Sequence, residues 1–176
     1  TTNGVTTDVG NFTVILMPVL ANIVPDRGPG GTPFAITGTG FSTTVAQNTI
    51  TFTDTQTSAT ANATVTSATA TRLEGTVPVQ LVAGPHTVRV TVVGGQPSLP
   101  LNFTVTPLIT AVTPATAVIL QQLQISGTGF SPTLSDNVVT LNGRAVALDA
   151  GSSASTLVVT VPRGTSGAGV DVVVST

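Results

Sequence analysis

The chain has 176 residues, of which 40% are apolar and 7% are charged, and its formal net charge is −2. Its five basic residues are scattered arginines, so no basic stripe can neutralise a row of phosphates, and we expect no nucleic-acid partner. The absence of cysteine excludes disulfides, thiol nucleophiles and Cys-type zinc sites. No apolar run approaches the roughly 20 residues of a membrane-spanning helix, so we expect no insertion into a membrane.

The apolar residues are mostly aliphatic, lie among many threonines and serines, and are interrupted by 18 glycines and 12 prolines. Because β-branched residues favour strands and Gly and Pro mark turns, this pattern predicts an all-β chain of short strands, as in a β-sandwich. The chain starts with Thr1 rather than Met, and we expect a processed or excised piece of a longer protein.

The first predicted element is the strand NFTV at residues 11–14, and the same four letters return at residues 102–105. Apolar and polar residues alternate in both copies, which predicts a half-buried strand with one apolar face. The residues of the first copy are Asn11 and Thr13, predicted to face water, and Phe12 and Val14, predicted to face a core.

The next elements surround a string that occurs twice, ITGTGFS at residues 36–42 and ISGTGFS at residues 125–131. We interpret its glycines as positions of positive φ or close backbone approach where a strand ends, and its phenylalanine as a plug over the core. A Gly-x-Gly pair also occurs in phosphate loops, but the chain has no lysine and no helix is predicted here. The string therefore predicts a structural element.

Further alternation of apolar and polar residues predicts strands at residues 87–92, 157–161 and 170–174. Asn142 and Gly143 predict a two-residue hairpin, because both positions of that turn need positive φ. The residues that we expect to be buried in the two halves are Phe41, Phe130, Ile36, Ile125, Val88, Val90, Val159 and Val172.

The two halves of the chain form an internal repeat. Residues 25–52 align with residues 114–141 at an offset of 89, and the dipeptide Val-Pro at 77–78 aligns with 161–162 at an offset of 84. The connection at residues 105–114 contains two prolines and no Gly/Ser run, so we expect the two domains to abut with limited bending.

The repeat divides the chain into three parts. Residues 15–106 are predicted to form a first sandwich that ends with its own closing strand, and residues 107–176 a second sandwich that stops before such a strand. Residues 1–14 carry a spare copy of the closing strand. We expect them to complete the second sandwich of a preceding or neighbouring repeat, so the predicted fold is two tandem sandwiches plus an N-terminal extra strand.

Several motifs recur in the same order in both halves. They are IVP (23–25), GGTPFAITGTGF (30–41), ITF (50–52) and VP (77–78), then VTP (112–114), LQISGTGF (123–130), VTLNG (139–143) and VP (161–162). This order resembles the IPT/TIG domain family, and the resemblance implies an immunoglobulin-like β-sandwich for each half. The first half departs from the family pattern by lacking the Asn-Gly hairpin, and the second lacks the GGT lead-in and the closing strand.

Members of this family occur in plexin-like receptors, Rel-type transcription factors, starch-acting glucanotransferases and tandem bacterial surface proteins. The resemblance therefore implies a fold rather than one activity. It assigns no role to any single residue.

No combination of residues predicts catalysis, a bound cofactor or a metal site. His86 is the only histidine, and its position after Gly84-Pro85 predicts a turn residue rather than a ligand. Asp26 and Asp136 lie in predicted loops, where each has an oxygen to offer calcium, but without the spaced carboxylates of a calcium loop we expect them to cap turns. We therefore expect a protein that is not an enzyme.

Three asparagines, Asn11, Asn62 and Asn102, each begin an N-x-Thr sequon and are candidate glycan acceptors in a cell that makes such glycans. Asn11 and Asn102 are predicted to face outward. Because the chain is rich in threonine, sequons are also expected by chance, and an undecorated polar face is the alternative.

The sequence favours a structural or adhesive module of an extracellular or cell-surface protein, with its sandwiches in an extended rod or filament. The predicted partners are homotypic neighbouring repeats joined head-to-tail, because an open sheet edge invites another strand. They are joined either covalently or by donor-strand addition between subunits. The alternative is an accessory glycan- or protein-binding module of a larger secreted enzyme or receptor.

Overall fold

The structure, a computed structural model, describes residues 17–167 and 169–176. These residues form strands and two single 3-10 turns, at Val45–Gln47 and Leu134–Asp136. The strands of the first half are β1 (Val19–Val24), β2 (Arg27–Gly28), β3 (Pro33–Thr39), β4 (Asn48–Asp54), β5 (Thr60–Asn62), β6 (Thr64–Ala68), β7 (Arg72–Thr76), β8 (Gly84–Val92) and β9 (Leu101–Val105). Those of the second half are β10 (Leu108–Thr113), β11 (Gln122–Thr128), β12 (Val138–Leu141), β13 (Arg144–Val146), β14 (Thr156–Thr160) and β15 (Val172–Ser175).

The first half folds into two sheets with the strand orders β1-β3-β7-β6 and β2-β9-β8-β4-β5. Neighbouring strands are antiparallel except for β2 and β9, which run parallel. Buried residues of both sheets share one core, in which Phe52 contacts Phe34 and Phe103 edge-to-face at ring-centroid distances of 5.6 and 5.3 Å. This half is therefore a closed β-sandwich.

The second half folds into two three-stranded sheets, β10-β11-β14 and β13-β12-β15, which enclose a separate core. The first paired strands of both halves share a register irregularity, between Leu20 and Asn22 in β1 and between Ile109 and Ala111 in β10. The predicted pair of tandem immunoglobulin-like β-sandwiches is confirmed. The predicted N-terminal extra strand, residues 1–14, lies outside the described residues.

The repeated Gly-Thr-Gly-Phe string has the same role in both sandwiches. A Cβ on Gly38 or Gly127 would overlap a carbonyl oxygen of the neighbouring strand and the phenylalanine ring three residues later. Gly40 and Gly129 have φ of +78° and +77°, where a side chain would be strained. Both phenylalanine rings are buried, as predicted.

Seven of the eight residues predicted to be buried are buried, and Val172 is the exception. Val172 is half-buried in β15, because no described strand lies beyond β15 to cover it. The strands β3 and β11 continue to Thr39 and Thr128, so the first glycine of each repeated string lies inside its strand and only the second lies beyond the strand end. The hairpin prediction is confirmed, since Asn142 and Gly143 have φ of +48° and +78° and join β12 to β13.

Candidate functional site

In the first sandwich the closing strand β9 lies between two neighbouring strands. It pairs antiparallel with β8 on one side and parallel with β2 on the other. On the β2 side, the N–H of Thr104 donates to the carbonyl oxygen of Asp26 at 2.9 Å. The strand therefore satisfies backbone groups along both of its edges while Phe103 and Val105, both buried, fill the core.

The second sandwich has no counterpart of β9 among the described residues. Strand β15 is the counterpart of β8. In the first sandwich β8 pairs with β4, the strand after the 3-10 turn, and in the second sandwich β15 pairs with β12, the strand after its 3-10 turn, in the same register. Since no described strand follows β15 in its sheet, its outer N–H and C=O groups have no sheet partner in that part of the chain. The corresponding pairs are Ile50–Val90 and Phe52–Val88 in the first sandwich, and Val139–Val174 and Leu141–Val172 in the second.

A cavity of about 890 Å³ lies beside β15, and we call it the slot. One wall is formed by residues 115–119, which include the counterparts of Asp26 and β2, and the other by residues 165–167 and 169–170. The slot therefore occupies the place that β9 and its buried Phe103 fill in the first sandwich. Its floor consists of Val112, Leu123, Leu141, Val161 and Val172.

Apolar side chains remain exposed around the slot. Val118 and Ile119 in its wall and Leu120, which follows them in the chain, are 71%, 47% and 56% exposed. Exposed apolar groups beside an open sheet edge are typical of a surface that binds another chain. The predicted assembly strand, residues 11–14, lies outside the described residues, so the structure does not place it.

A second cavity of about 670 Å³ lies where the two sandwiches meet, and we call it the junction cleft. The sandwiches are in direct contact beside it, since the N–H of Ala83 donates to the carbonyl oxygen of Gly129 at 2.8 Å. The first sandwich contributes Asp54, Gln56 and His86 to the cleft, and the second contributes the loop around Asp136.

His86 lies in the junction cleft, and its prediction as a turn residue is wrong. The residue is 2% exposed within β8, because pairing of β8 with β9 begins at Gly84, before the proline. Its Nδ1 donates to the carbonyl oxygen of Gly84 at 3.1 Å. Its Nε2 is 4.0 Å from Oδ2 of Asp54, the residue opposite it on β4, and has no hydrogen-bond partner among the described residues.

The carboxylate of Asp54 is held by the loop that follows β4. The N–H groups of Gln56 and Thr57 donate to its Oδ1 at 2.7 and 2.9 Å. Burial alone would raise the pKa of Asp54, but these N–H donors and the charge of His86 outweigh burial and lower the pKa. No group of three His, Asp or Glu side chains able to hold a metal ion occurs in residues 17–167 and 169–176.

The two acids that were expected to cap turns do not do so. Asp136 lies in the second 3-10 turn and accepts a hydrogen bond from the hydroxyl of Ser131 at 3.4 Å. The exposed side chain of Asp26 pairs with Arg27 at 3.5 Å. No described backbone N–H donates to either carboxylate, because the nearby turns close through backbone carbonyls instead.

The IPT/TIG domain family matches residues 18–105 and 107–176, which together make up most of the chain. The chain belongs to this family. The resemblance based on the repeated Gly-Thr-Gly-Phe string and its companion motifs is therefore confirmed, and each sandwich is one IPT/TIG domain. No curated protein matches the chain. No helix in the described part of the two domains is long and apolar enough to cross a membrane.

Solved structures similar to this IPT/TIG pair come from different settings. The plexin A4 full extracellular region is 15% identical, with a TM-score of 0.40, and the match covers 90% of this chain and 16% of that one. A surface glycan-binding protein from Prevotella bryantii is 14% identical, with a TM-score of 0.44 and coverage of 90% and 39%. The γ-CGTase of alkalophilic Bacillus clarkii is 17% identical, with a TM-score of 0.43 and coverage of 84% and 22%. The chain thus spans less than half the length of each of these proteins.

Two of the three sequon asparagines lie in the described part of the IPT/TIG domains, and both are exposed. Asn62 lies on the edge strand β5, where its Oδ1 accepts a hydrogen bond from the hydroxyl of Thr51 at 2.9 Å. Asn102 points outward from β9. Asn11 lies outside the described residues, and glycosylation at all three positions stays a prediction.

The sequence analysis missed the structural role of Asn48 and Asn137, although the repeat aligns them. In each IPT/TIG domain this buried asparagine holds the loop after the plug phenylalanine. Its side-chain oxygen accepts from a serine N–H and its side-chain amide donates to the carbonyl of the same serine, Ser42 or Ser131. An asparagine repeated next to an apolar strand was the available signal. The wall of the slot at 115–119 was also missed, because its sequence differs from that of its counterpart.

Proposed function

We propose that the chain is a non-enzymatic structural or adhesive module of an extracellular or cell-surface tandem-repeat protein, and that its sandwiches join in series into a rod or filament. The domains are residues 15–106 and 107–176, and residues 1–14 are the closing strand for a neighbouring repeat. The observation that carries the proposal is the slot of the second domain, in the place where the first domain holds β9. The surface setting rests on the kinds of protein in which the family occurs.

The occupant that best suits the slot is the strand at residues 11–14 of a second copy. Its four letters are those of residues 102–105 in β9, and at that alignment Phe12 takes the position of Phe103. Period-two alternation turns Phe12 and Val14 toward the slot floor. Full burial of one phenylalanine contributes about 1.5–3 kcal/mol, and the strand would pair with backbone edges on both sides.

The proposed assembly of copies is open-ended rather than a closed ring or dimer. Each copy offers one strand at its N-terminal side and one slot in its second domain, so the two complementary surfaces lie on different parts of the chain. A heterologous contact of this kind propagates head-to-tail, and a rotation that does not close gives a filament. The same geometry serves covalently joined repeats, in which the donor strand belongs to the next segment of one polypeptide.

The test compares an inward with an outward substitution on the donor strand. Phe12→Asp places a charge in the apolar slot and should abolish assembly, whereas Thr13→Asp places a charge in water and should leave assembly intact. Sedimentation velocity and negative-stain electron microscopy measure both variants. Deletion of residues 1–14 should give monomers with two folded domains.

Two results would overturn the proposal. One is assembly that persists after residues 1–14 are deleted. The other is a monomer in which Phe12→Asp lowers the stability of the second domain, since that result would seat the strand in the slot of its own chain.

The junction cleft favours a second candidate function, binding of a glycan or a protein. Clefts between domains that gather a few polar groups are common ligand sites, and this cleft contains Asp54, Gln56 and Asp136. The chain has neither Trp nor Tyr to stack on a sugar ring. A glycan array probed with the native chain and with a Gln56→Ala variant tests this function, and binding that the variant retains would place any ligand elsewhere.

A further inference from the structure

The contact between the two domains has a defined geometry around Gly129, which has φ of +77°. A Cβ built there would lie 3.3 Å from Cα of Pro107 and from the carbonyl oxygen of Thr106, both in the connection between the domains. It would lie 3.6 Å from the N atom of Ala83, in the preceding domain. The carbonyl of Gly129 accepts the hydrogen bond from this Ala83 N–H, so the loop before β8 rests on the glycine string of the next domain.

The same surface exists at the matching end of the first domain, where it is exposed among the described residues. Gly40 has φ of +78°, and a Cβ there would lie 3.4 Å from Cα of Pro18 and 3.8 Å from the carbonyl oxygen of Met17. These neighbours are the counterparts of Pro107 and Thr106. Gly40 is exposed, whereas Gly129 is half-buried beneath the preceding domain.

The complementary surface is repeated at the far end of the second domain. The loop at residues 163–169 aligns with residues 79–85 at an offset of 84, and Gly167 is the counterpart of Ala83. The two loops are closed by equivalent hydrogen bonds. Leu81 N–H donates to Pro78 O at 3.4 Å in the first loop, and Thr165 N–H donates to Pro162 O at 3.3 Å in the second. No described atom lies within 4 Å of a Cβ built on Gly167, and Gly167 is exposed, so no described residue covers this end.

We propose that neighbouring copies meet end to end through these two surfaces, with the N–H of Gly167 in one copy donating to the carbonyl oxygen of Gly40 in the next. This inference rests on the proposed function, because strand donation delivers the two surfaces to each other. In the first domain β9 ends at Val105, which pairs with Gly84 beside Ala83. By analogy, a donor strand in the slot would end beside the loop that contains Gly167.

The connection after the donor strand is long enough for this contact. Within the chain, two residues separate Val105 from Leu108, the first residue of β10, and they span the junction between the domains. Four residues separate Val14 from Val19, the first residue of β1. Because four residues can span at least as far as two, the longer connection allows the same arrangement at every junction along the rod.

Cysteine cross-linking tests the contact, because the chain contains no cysteine of its own. Thr39 precedes Gly40 and Ser166 precedes Gly167, and both are exposed. Assembled protein carrying T39C and S166C, treated with a short bis-maleimide, should give a ladder of bands at multiples of the chain mass. The counterparts V82C and T128C lie at the junction inside the chain, so their double variant should cross-link within one chain without a ladder.

A mixture of two single variants sharpens the result. Chains with T39C alone and chains with S166C alone should each stay uncross-linked, and their mixture should give dimers and nothing larger. The inference is overturned if filaments form and the V82C/T128C control reacts but the T39C/S166C protein gives no ladder. The failure of the proposed function looks different, since the unmodified chain would then sediment as a monomer before any cross-linker is added.

Discussion

At the scale of single residues, each plug phenylalanine depends on the glycine three residues before it. The ring of Phe130 packs over Gly127, where a side chain would overlap it, and Phe130 is 1% exposed. Close packing of this kind makes truncation costly, because the cavity collapses only in part.

Phe130→Ala should destabilise the second domain by about 3–5 kcal/mol, through lost burial and the cavity that remains. The measurement is the urea midpoint of that domain, monitored by the intensity of resolved NMR signals. Leu134→Ala is the control, because Leu134 is 37% exposed, and its effect should stay below about 0.5 kcal/mol. An effect of Phe130→Ala below about 1 kcal/mol would show that the ring is not a core plug.

Asp54 should make the first domain sensitive to acid. Its pKa is lowered on folding, because the loop N–H donors and His86 favour the carboxylate more than burial opposes it. The folded state therefore gains stability above the ordinary value of 3.8, and that gain is lost as the pH falls through the lower pKa of the folded state.

Asp54→Asn should flatten the stability of the first domain between pH 5 and pH 2, a window of about three units around an ordinary carboxyl pKa. Urea unfolding at each pH measures the effect, and Asp26→Asn at an exposed ion pair is the control. A slope equal to that of the native chain would mean that Asp54 has no depressed pKa.

At the scale of elements, the glycines of the second domain serve two different purposes. Gly143 has φ of +78° in the hairpin between β12 and β13, and a Cβ there would meet no atom within 4 Å. Gly127 in β11 lies against the neighbouring strand β10, whose carbonyl oxygen from Leu108 occupies the space of a side chain. The first glycine is required by conformation and the second by packing.

Gly143→Ala should therefore cost about 1–2 kcal/mol, the penalty of positive φ for a residue with a Cβ. Gly127→Ala should cost more, because the strands β10 and β11 must separate to admit the methyl group. Urea midpoints of the two variants provide the comparison. An equal cost at both positions would mean that the sheet adjusts freely at Gly127.

At the scale of the whole molecule, the two domains differ in how completely they are closed. The first domain holds β9 between two strands, and in its core Phe52 contacts both Phe34 and Phe103. The second domain has a slot of about 890 Å³ at the matching place, with Leu141 on its floor where the first domain has Phe52. The second domain should therefore be the less stable one whenever the slot is empty.

A peptide with the sequence of residues 8–16 should raise the unfolding midpoint of the second domain alone, because a ligand of the folded state stabilises it by mass action. The recipient is the chain with residues 1–14 deleted, and NMR signals of each domain follow urea unfolding separately. The same peptide with Phe12→Asp is the control and should have no effect. An equal shift in both domains would mean that the peptide does not recognise the slot.

The sequence by itself determined the features that depend on local pattern. Alternation, the Asn142-Gly143 turn and the repeated glycine string predicted the strands, a hairpin and two tandem sandwiches, because strand faces and positive φ are set by a few neighbouring residues. The sequence alone also showed that residues 11–14 repeat the string of residues 102–105 in β9, since a repeated string is visible without coordinates.

Only the tertiary structure decided which groups meet. His86 is buried opposite Asp54 because β8 pairs with β9 from Gly84 onward and with β4 from His86 onward, and pairing between distant strands cannot be read from the local sequence. Val172 is half-buried for the same reason, since its exposure depends on a neighbour across the sheet. The slot and the uncovered surfaces at Gly40 and Gly167 exist only as arrangements of segments far apart in the chain, and alignment could mark their residues but not bring them together.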